Sequence, residues 1–381
     1  FVGGLLKPPG VEIGHEIGHV TAKHTVAAIS KQQLTQIGLV GASILSPQVA
    51  KFGDVLGASA SLLFLKFGRD DELQADALGF KYSLAQAYDV RESPKVFTTL
   101  GRLSGDAGAR IPEWQSTHPD PGNRVQRAEQ RLAGVTAAQL ASTKVNRDSY
   151  LRLVDGMVFG ENPRQGYFKA TRFLHPDLRF ELTFPSGWKT ANLPDAVIGQ
   201  SSDGGAQLQL APGKGTPSEA LQQFIGQQGI TVRQRGNTTI NGIAAVFAEI
   251  DATTESGALR GLVFSLQHRN VTYLLIGITT AQGFAQYGSA IDGAIRSFKD
   301  VSDPAVLNAQ PSKVQIVTLP SQMTGQEFVQ RYPSTIPVEQ VYIINGIDAS
   351  TSVPRGTLMK RVTGGSMPSR LDGVARPKYS R

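Results

Sequence analysis

The 381-residue chain contains no cysteine. That excludes a disulfide framework, a thiolate metal site and a cysteine nucleophile, and it fits any compartment, an oxidising one included. Histidine is scarce as well, with 6 in all, so any constellation built from imidazole has few places to form. Long apolar runs are missing. The two greasiest stretches, 37–45 and 55–67, are separated by Pro47, Lys51 and Asp54, and each falls short of the ~20 residues that a membrane-spanning helix needs. They read as a buried helical hairpin, with a membrane-dipping or lid-like hairpin as the alternative. Charged residues make up 18% and hydrophobic ones 40%, a globular balance that is neither disordered nor fibrous.

The net charge of +7 is unevenly spread. Residues 1–150 carry 16 basic and 14 acidic side chains, residues 151–300 carry 13 and 12, and residues 301–381 carry 9 and 5. The excess therefore lies mainly at the end, where Lys360, Arg361, Arg370, Arg376, Lys378 and Arg381 gather. Residues 364–381 read as a basic, disordered tail, solvated rather than bound to nucleic acid. The chain starts at Phe1 without an initiator methionine or a signal peptide, so it reads as a mature or partial chain.

The length suggests about two or three domains at ~100–200 residues each. Residues 1–6 form a short apolar stretch, suited to an edge strand, that ends at Lys7-Pro8-Pro9-Gly10. From there to about 148 the pattern is almost all helical. Helices are expected at 11–31, 69–88, 94–103 and 123–132, with loops between. From 167 the pattern changes to short strand-like runs at 180–184, 206–210, 244–250, 262–268 and 272–279. An Asn241-Gly242 hairpin dipeptide lies among them, and helical stretches fall at 218–228 and 284–297. Residues 167–300 are thus an α+β domain, and 303–312 read as a linker. Residues 313–363 form a smaller α/β unit with a strand, two helices, a Val353-Pro354-Arg355-Gly356 turn and a closing strand.

One motif stands out: Gly14-His15-Glu16-Ile17-Gly18-His19 reads H-E-x-x-H. Two imidazoles four residues apart share a helix face and can reach one ion. The glutamate between them points off that face by about 100° and can reach a water at the ion. This is the pattern of a zinc peptidase helix.

A catalytic zinc takes three protein ligands. His24 lies five residues beyond His19, well off the His15/His19 face on a continuous helix. A metzincin would need glycine where Ala22 stands and a spacing of six rather than five. His24 is therefore expected beside the site or at the surface. Glu72, in Asp71-Glu72-Leu73-Gln74-Ala75-Asp76, completes a His₂Glu set instead. Asp76 shares its helix face and is suited to accept a hydrogen bond from a ligand imidazole, which would fix that ring's tautomer.

Together, H-E-I-G-H-V-x-x-x-H and R-x-x-E-L-Q-A-D-x-x-G resemble the HtpX/BepA/LoiP family of gluzincin metallopeptidases, whose relatives include the CaaX prenyl proteases. Over roughly residues 1–135 the resemblance implies a mainly α, zincin-type metallopeptidase domain (1–150) using Zn2+. His15, His19 and Glu72 would be the ligands, Glu16 the general base and Asp76 the residue that orients a ligand. Arg69 and Gly79 match family positions. Thr117-His118-Pro119 with Arg124 resembles the family's downstream H-P-x-x-x-x-R segment. There His118 would either close the metal as a self-inhibiting ligand or steady the oxyanion. The family carries a longer helical lead-in before the zinc helix, and here Lys7-Pro8-Pro9-Gly10 stands in its place.

Residues 173–299 resemble the PsbP/Mog1-like fold through Phe173-Leu174-His175-Pro176, the turn at Phe184-Pro185-x-Gly187-Trp188, Asn241-Gly242 and Ser297-Phe298. Residues 313–363 resemble a divergent LysM-type module through Tyr342-x-x-Asn345-Gly346 and Pro354-x-Gly356. Such modules bind N-acetylglucosamine chains. The resemblances imply a zinc endopeptidase of the periplasm or cell envelope. It would act on unfolded or misassembled proteins in quality control, with peptidoglycan and peripheral membrane contact as further partners. The alternative reading is a latent or inactive envelope protein that acts as a chaperone or cell-wall-binding module.

Overall fold

The computed structural model describes residues 10–27, 67–106, 123–254 and 257–365. The expected edge strand at 1–6, the apolar hairpin between 37 and 66, the loop bearing His118 and the tail from 366 lie outside the described residues. The chain divides into two compact units. The described part of the first comprises 10–27, 67–106, 123–162 and 311–365; that of the second comprises 163–254 and 257–310.

The first unit opens with α1 (Gly10–Thr21), whose buried face is Val11, Gly14, His15, Gly18 and His19, the helical spacing of one stripe. The sequence pattern predicts a single helix over 11–31. Instead it stops at Thr21, because Lys23 adopts a left-handed conformation at φ 59°, and a helical turn resumes at 24–27. α2 (Arg69–Ala85) starts with Asp70, Asp71 and Glu72 in its first turn, where the helix dipole favours acids. The Asp71 carboxylate accepts the Gly68 N–H at 2.8 Å.

α1 and α2 cross at a seam of small residues. A methyl group at Gly79 would lie 2.6 Å from the His15 backbone nitrogen, one at Gly14 2.8 Å from the Gly79 carbonyl oxygen, and one at Gly18 2.9 Å from the Ala75 carbonyl oxygen. Glycine there lets the two backbones touch. Ser83 Oγ donates to the Gly10 carbonyl at 2.8 Å and clasps the start of α1. α3 (Ser93–Asp106), α4 (Arg124–Ala133), α5 (Ala137–Ala141) and α6 (Arg147–Val154) follow.

The second unit contains two antiparallel sheets. β1 (Tyr167–Lys169), β2 (Arg172–His175), β3 (Phe180–Thr183) and β11 (Lys299–Asp300) form one, in that order. The other has seven strands: β4 (Lys189–Asn192), β5 (Val197–Gln200), β6 (Ala206–Pro212), β7 (Ile230–Ile240), β8 (Ile243–Thr254), β9 (Gly257–His268) and β10 (Val271–Thr280), ordered β4-β5-β6-β10-β9-β8-β7. The β7–β8 hairpin closes at Ile240 opposite Ile243. Asn241 (φ 47°) and Gly242 (φ 83°) supply the two left-handed residues of its turn.

α8 (Phe284–Arg296) packs Ile291 and Ile295 into a core with Phe173, Phe180, Phe264 and Tyr273. α7 (Pro217–Ile225) covers Ile250, Val263, Leu274 and Ile276. The expected linker at 303–312 is not free. It contains α9 (Pro304–Leu307), capped by Asp303, and Val306 and Ala309 are buried with Tyr167 and Leu174.

The chain then rejoins the first unit. β12 (Ser312–Thr318) pairs antiparallel with β15 (Leu358–Gly364), and β13 (Met323–Thr324) pairs with β14 (Ser352–Val353). α10 (Gly325–Arg331) and α11 (Val338–Asn345) lie between them in sequence. Phe328, Val341, Tyr342 and Met359 are the core of this segment. It docks on the preceding helices at two places. Val314 and Leu358 bury Leu151 and Val154 of α6, while the Val314 N–H donates to Met157 O at 2.8 Å. Leu100 of α3 packs on Ile344 and Val362, and Arg102 donates to Ile347 O at 3.3 Å and to Asp348 at 3.0 Å. No described helix is long and apolar enough to cross a membrane.

Candidate metal centre

The glycine seam between α1 and α2 sets the site. His15 and His19, one turn apart on the buried face of α1, bring their Nε2 atoms to 3.0 Å from each other. Glu72, in the first turn of α2 and fully buried, places one carboxylate oxygen 3.5 Å from His15 Nε2 and the other 3.3 Å from His19 Nε2. Three donors set tetrahedrally at ~2.0–2.1 Å around a zinc ion lie about 3.3 Å from one another. The donor set and its spacing therefore fit zinc. It is also the one group of three or more His, Cys, Asp or Glu suited to a metal among the described residues.

Asp76, one turn beyond Glu72, accepts from His15 Nδ1 at 2.8 Å, which leaves His15 Nε2 to face the other donors. Arg124, the first residue of α4, grips both oxygens of the same carboxylate. Its Nε donates to Asp76 Oδ2 at 2.9 Å and its Nη2 to Oδ1 at 2.6 Å. Its Nη1 lies 3.7 Å from Glu72, and the guanidinium sits 4.4 Å over the Phe97 ring of α3.

Burial of Asp76 would raise its carboxyl, yet the hydrogen bonds from His15 and Arg124 hold it below the usual carboxylate range. Burial of His15 would lower its imidazole, and the hydrogen bonds to Asp76 and Glu72 overcome that and raise it to about 9. The two carboxylates thus gather positive charge at the point where a divalent cation would sit.

Behind His19 the arrangement differs. Its Nδ1 lies 3.0 Å from His24 Nδ1, and His24 Nε2 lies 2.9 Å from Gln74 Oε1. The Phe67 ring packs 4.3 Å from the His19 ring. Glu16 is exposed on α1. Arg69 is exposed at the first position of α2. His118 lies outside the described residues.

Sequence reasoning placed His15, His19, Glu72 and Asp76 near one ion but gave Arg124 no role beyond a spacing match, and it left Gln74 and Phe67 unremarked. Arg124 was accessible only through that spacing. His24, expected beside the site or at the surface, lies buried beside it; the left-handed turn at Lys23 that brings it there has no signal in Ala22-Lys23.

Residues 11–132 match Peptidase family M48. The chain is 36% identical over 113 residues to mitochondrial metalloendopeptidase OMA1 of Arabidopsis thaliana, which covers 29% of this chain and 22% of that protein. It is 30% identical over 142 residues to the beta-barrel assembly-enhancing protease of Yersinia pestis, covering 35% of this chain and 29% of that one. The chain therefore spans less than a third of the length of these curated relatives. A solved structure, cyanobacterial PsbP from Synechocystis sp. PCC 6803, matches 34% of this chain and 91% of its own at 14% identity and a TM-score of 0.29, a likeness too low to assign a fold. The segment that is similar to M48 peptidases is thus the one that carries His15, His19, Glu72, Asp76 and Arg124.

Proposed function

We propose that the M48-like region is a zinc endopeptidase that hydrolyses peptide bonds of protein substrates, with His15, His19 and Glu72 holding the ion and Glu16 acting as general base. The observation that carries this reading is the convergence of two imidazole Nε2 atoms and one buried carboxylate within 3.0–3.5 Å. When bound, zinc supplies a Lewis acid for the scissile carbonyl and lowers the pKa of water to about 7. The chain's own residues do the rest. Asp76, braced by Arg124, holds His15 with its Nδ1–H turned away from the ion. Glu72, itself buried, contributes negative charge. Glu16, on the exposed side of the same turn, takes the proton from the attacking water on a carboxylate oxygen and hands it to the leaving amine nitrogen.

The names of the relatives support a metallopeptidase. The beta-barrel assembly-enhancing proteases among them support a role in protein quality control at the cell envelope, on unfolded or misassembled proteins. Recovery of the full-length protein in the cytosolic fraction would refute that location.

The activity is tested by zinc analysis together with casein cleavage. Wild type is expected to hold one zinc per chain and to cleave. Glu16→Gln is expected to keep the zinc and lose roughly 10²-fold or more in rate, the scale of a general base. A wild-type protein that takes up no zinc, or a Glu16→Gln variant that cleaves at the wild-type rate, defeats the proposal.

A further inference from the structure

We propose that His24 and Gln74 are positioning residues that fix the tautomer of His19 through a two-link hydrogen-bond chain. This rests on the zinc reading of the site and adds to it how the second imidazole is aimed. Two nitrogens 3.0 Å apart, His19 Nδ1 and His24 Nδ1, hold one hydrogen between them. Which ring donates is settled at the far end of the chain. Gln74 presents Oε1, an acceptor, 2.9 Å from His24 Nε2, and with the amide in that orientation His24 Nε2 carries the hydrogen. A neutral imidazole has one N–H, so His24 Nδ1 is an acceptor and His19 Nδ1 donates to it. His19 Nε2 is then bare and faces His15 Nε2 and Glu72.

With the ion bound, His15 would present the same bare Nε2, its Nδ1–H held directly by Asp76. One ligand is therefore aimed directly by a carboxylate and the other by a neutral imidazole and amide in series. Asp71 does not substitute for Gln74. Its nearest oxygen is 3.8 Å from His24 Nε2, beyond hydrogen-bond range, and the carboxylate is engaged by the Gly68 N–H.

The backbone is shaped for this contact. On an unbroken helix His24 would project about 140° away from His19. The left-handed Lys23 at φ 59° breaks the helix and turns His24 back onto the site, where it is 3% exposed. A left-handed lysine is an uncommon conformation, of the kind found at functional sites.

The test measures zinc affinity of the full chain by competition with a chelator, alongside the visible spectrum of the Co2+-substituted protein. Outer partners of metal-ligating histidines are worth roughly 10–100-fold in affinity. His24→Phe is expected to weaken zinc binding by that factor and to shift the Co2+ spectrum. His24→Gln, whose Oε1 can accept the His19 N–H, is expected to restore most of it. Gln74 is exposed, so changes there leave folding intact. Gln74→Met is expected to weaken binding, and Gln74→Glu to match or tighten it, because a carboxylate only accepts. The proposal is overturned if wild type holds zinc and both His24→Phe and Gln74→Met bind it within about twofold of wild type, if His24→Gln is as weak as His24→Phe, or if Gln74→Glu loses affinity. A wild type that binds no zinc overturns the peptidase reading itself, a result distinct from these.

Discussion

Four ionisable side chains, His15, Glu72, Asp76 and Arg124, are buried together at the candidate metal centre, and each depends on the others. Arg124 binds Asp76 through two nitrogens, and Asp76 in turn holds His15. Breaking a buried pair leaves a charge without compensation and costs about 3–5 kcal/mol. Asp76→Ala and Arg124→Met are each expected to lower unfolding free energy on that scale in urea titrations, with the double variant well short of the sum. Effects that add to within about 0.5 kcal/mol would show that the two do not act as a pair. A second residue-scale device lies in the other unit. Burial, with the Arg164 guanidinium adding to it, pushes His175 down to about 4. Its Nδ1 accepts the Leu178 N–H at 3.1 Å, which requires a neutral ring. The native value lies below the ordinary ~6.5 of an unfolded chain. The stabilisation is therefore complete above pH ~6.5 and is lost as pH falls toward 4. Urea midpoints followed through Trp188 in a Trp114→Phe chain should fall between pH 7 and 4.5 more in wild type than in His175→Asn, whose amide oxygen accepts the same N–H without titrating. Equal slopes would remove His175 from the account.

Among the elements, the α1–α2 seam decides whether the ligands meet. A methyl at Gly79 would press on the His15 backbone nitrogen from 2.6 Å, so the helices must part and carry Glu72 away from the imidazoles. Gly79→Ala is expected to cost about 1–3 kcal/mol, as overpacking does, and to weaken zinc binding. Gly101→Ala in α3, where nothing lies within 4 Å, should instead gain about 0.5–1 kcal/mol from helix propensity. Thermal unfolding and chelator competition read both, and a Gly79→Ala protein as stable and as zinc-avid as wild type would contradict the seam. The sequence shows elements where local chemistry is strong: α2 with its acidic first turn, α10 with its Thr324–Glu327 capping box, and the Asn241-Gly242 hairpin. It hides those whose cause is tertiary. β7 is exposed at seven of its eleven residues and buried only at Ile240, so Ile230–Ile240 has no apolar alternation to read. At β6 the strand itself is legible, expected at 206–210 and found at Ala206–Pro212, but its burial on both faces is not, because Gln207 and Gln209 are buried as well as its leucines. The 303–312 stretch reads as a linker from its Asp, Pro, Asn and Gln, while two small apolar residues, Val306 and Ala309, seat it in the core. At the site, H-E-x-x-H and the Glu72/Asp76 spacing are visible because both follow helical periodicity. Arg124 is some 50 residues further along, and the break at Lys23 depends on the fold.

At the scale of the molecule, the first unit is discontinuous: the chain leaves it at residue 162 and returns at 311. The patches that join, Leu151 and Val154 on α6 with Val314 and Leu358 on the returning strands, each look in sequence like the local core of their own element. Only the folded arrangement shows that they share one. Polar contacts reinforce the joint, with Arg147 donating to Leu358 O at 2.8 Å and the Ile316 N–H donating to Asp155 at 2.8 Å. The returning segment also reaches α3 through Leu100 and Arg102, and α3 supplies the Phe97 ring under Arg124. The C-terminal segment is thereby connected through packed side chains to the carboxylate that holds His15. Removing residues 311 onward should uncover Leu151, Val154 and Leu100, and so lower the local stability of α3 and α6. Leu151→Ala, at about 2–5 kcal/mol for a buried leucine, should do the same in an intact chain. Amide hydrogen exchange measures this directly, since protection reports the free energy of local opening. Amides of α3 and α6 are expected to exchange faster in both the shortened chain and Leu151→Ala. Unchanged protection of these helices after removal of residues 311 onward would show that the returning segment does not support them, and that the chain of contacts toward Arg124 carries no stability to the site.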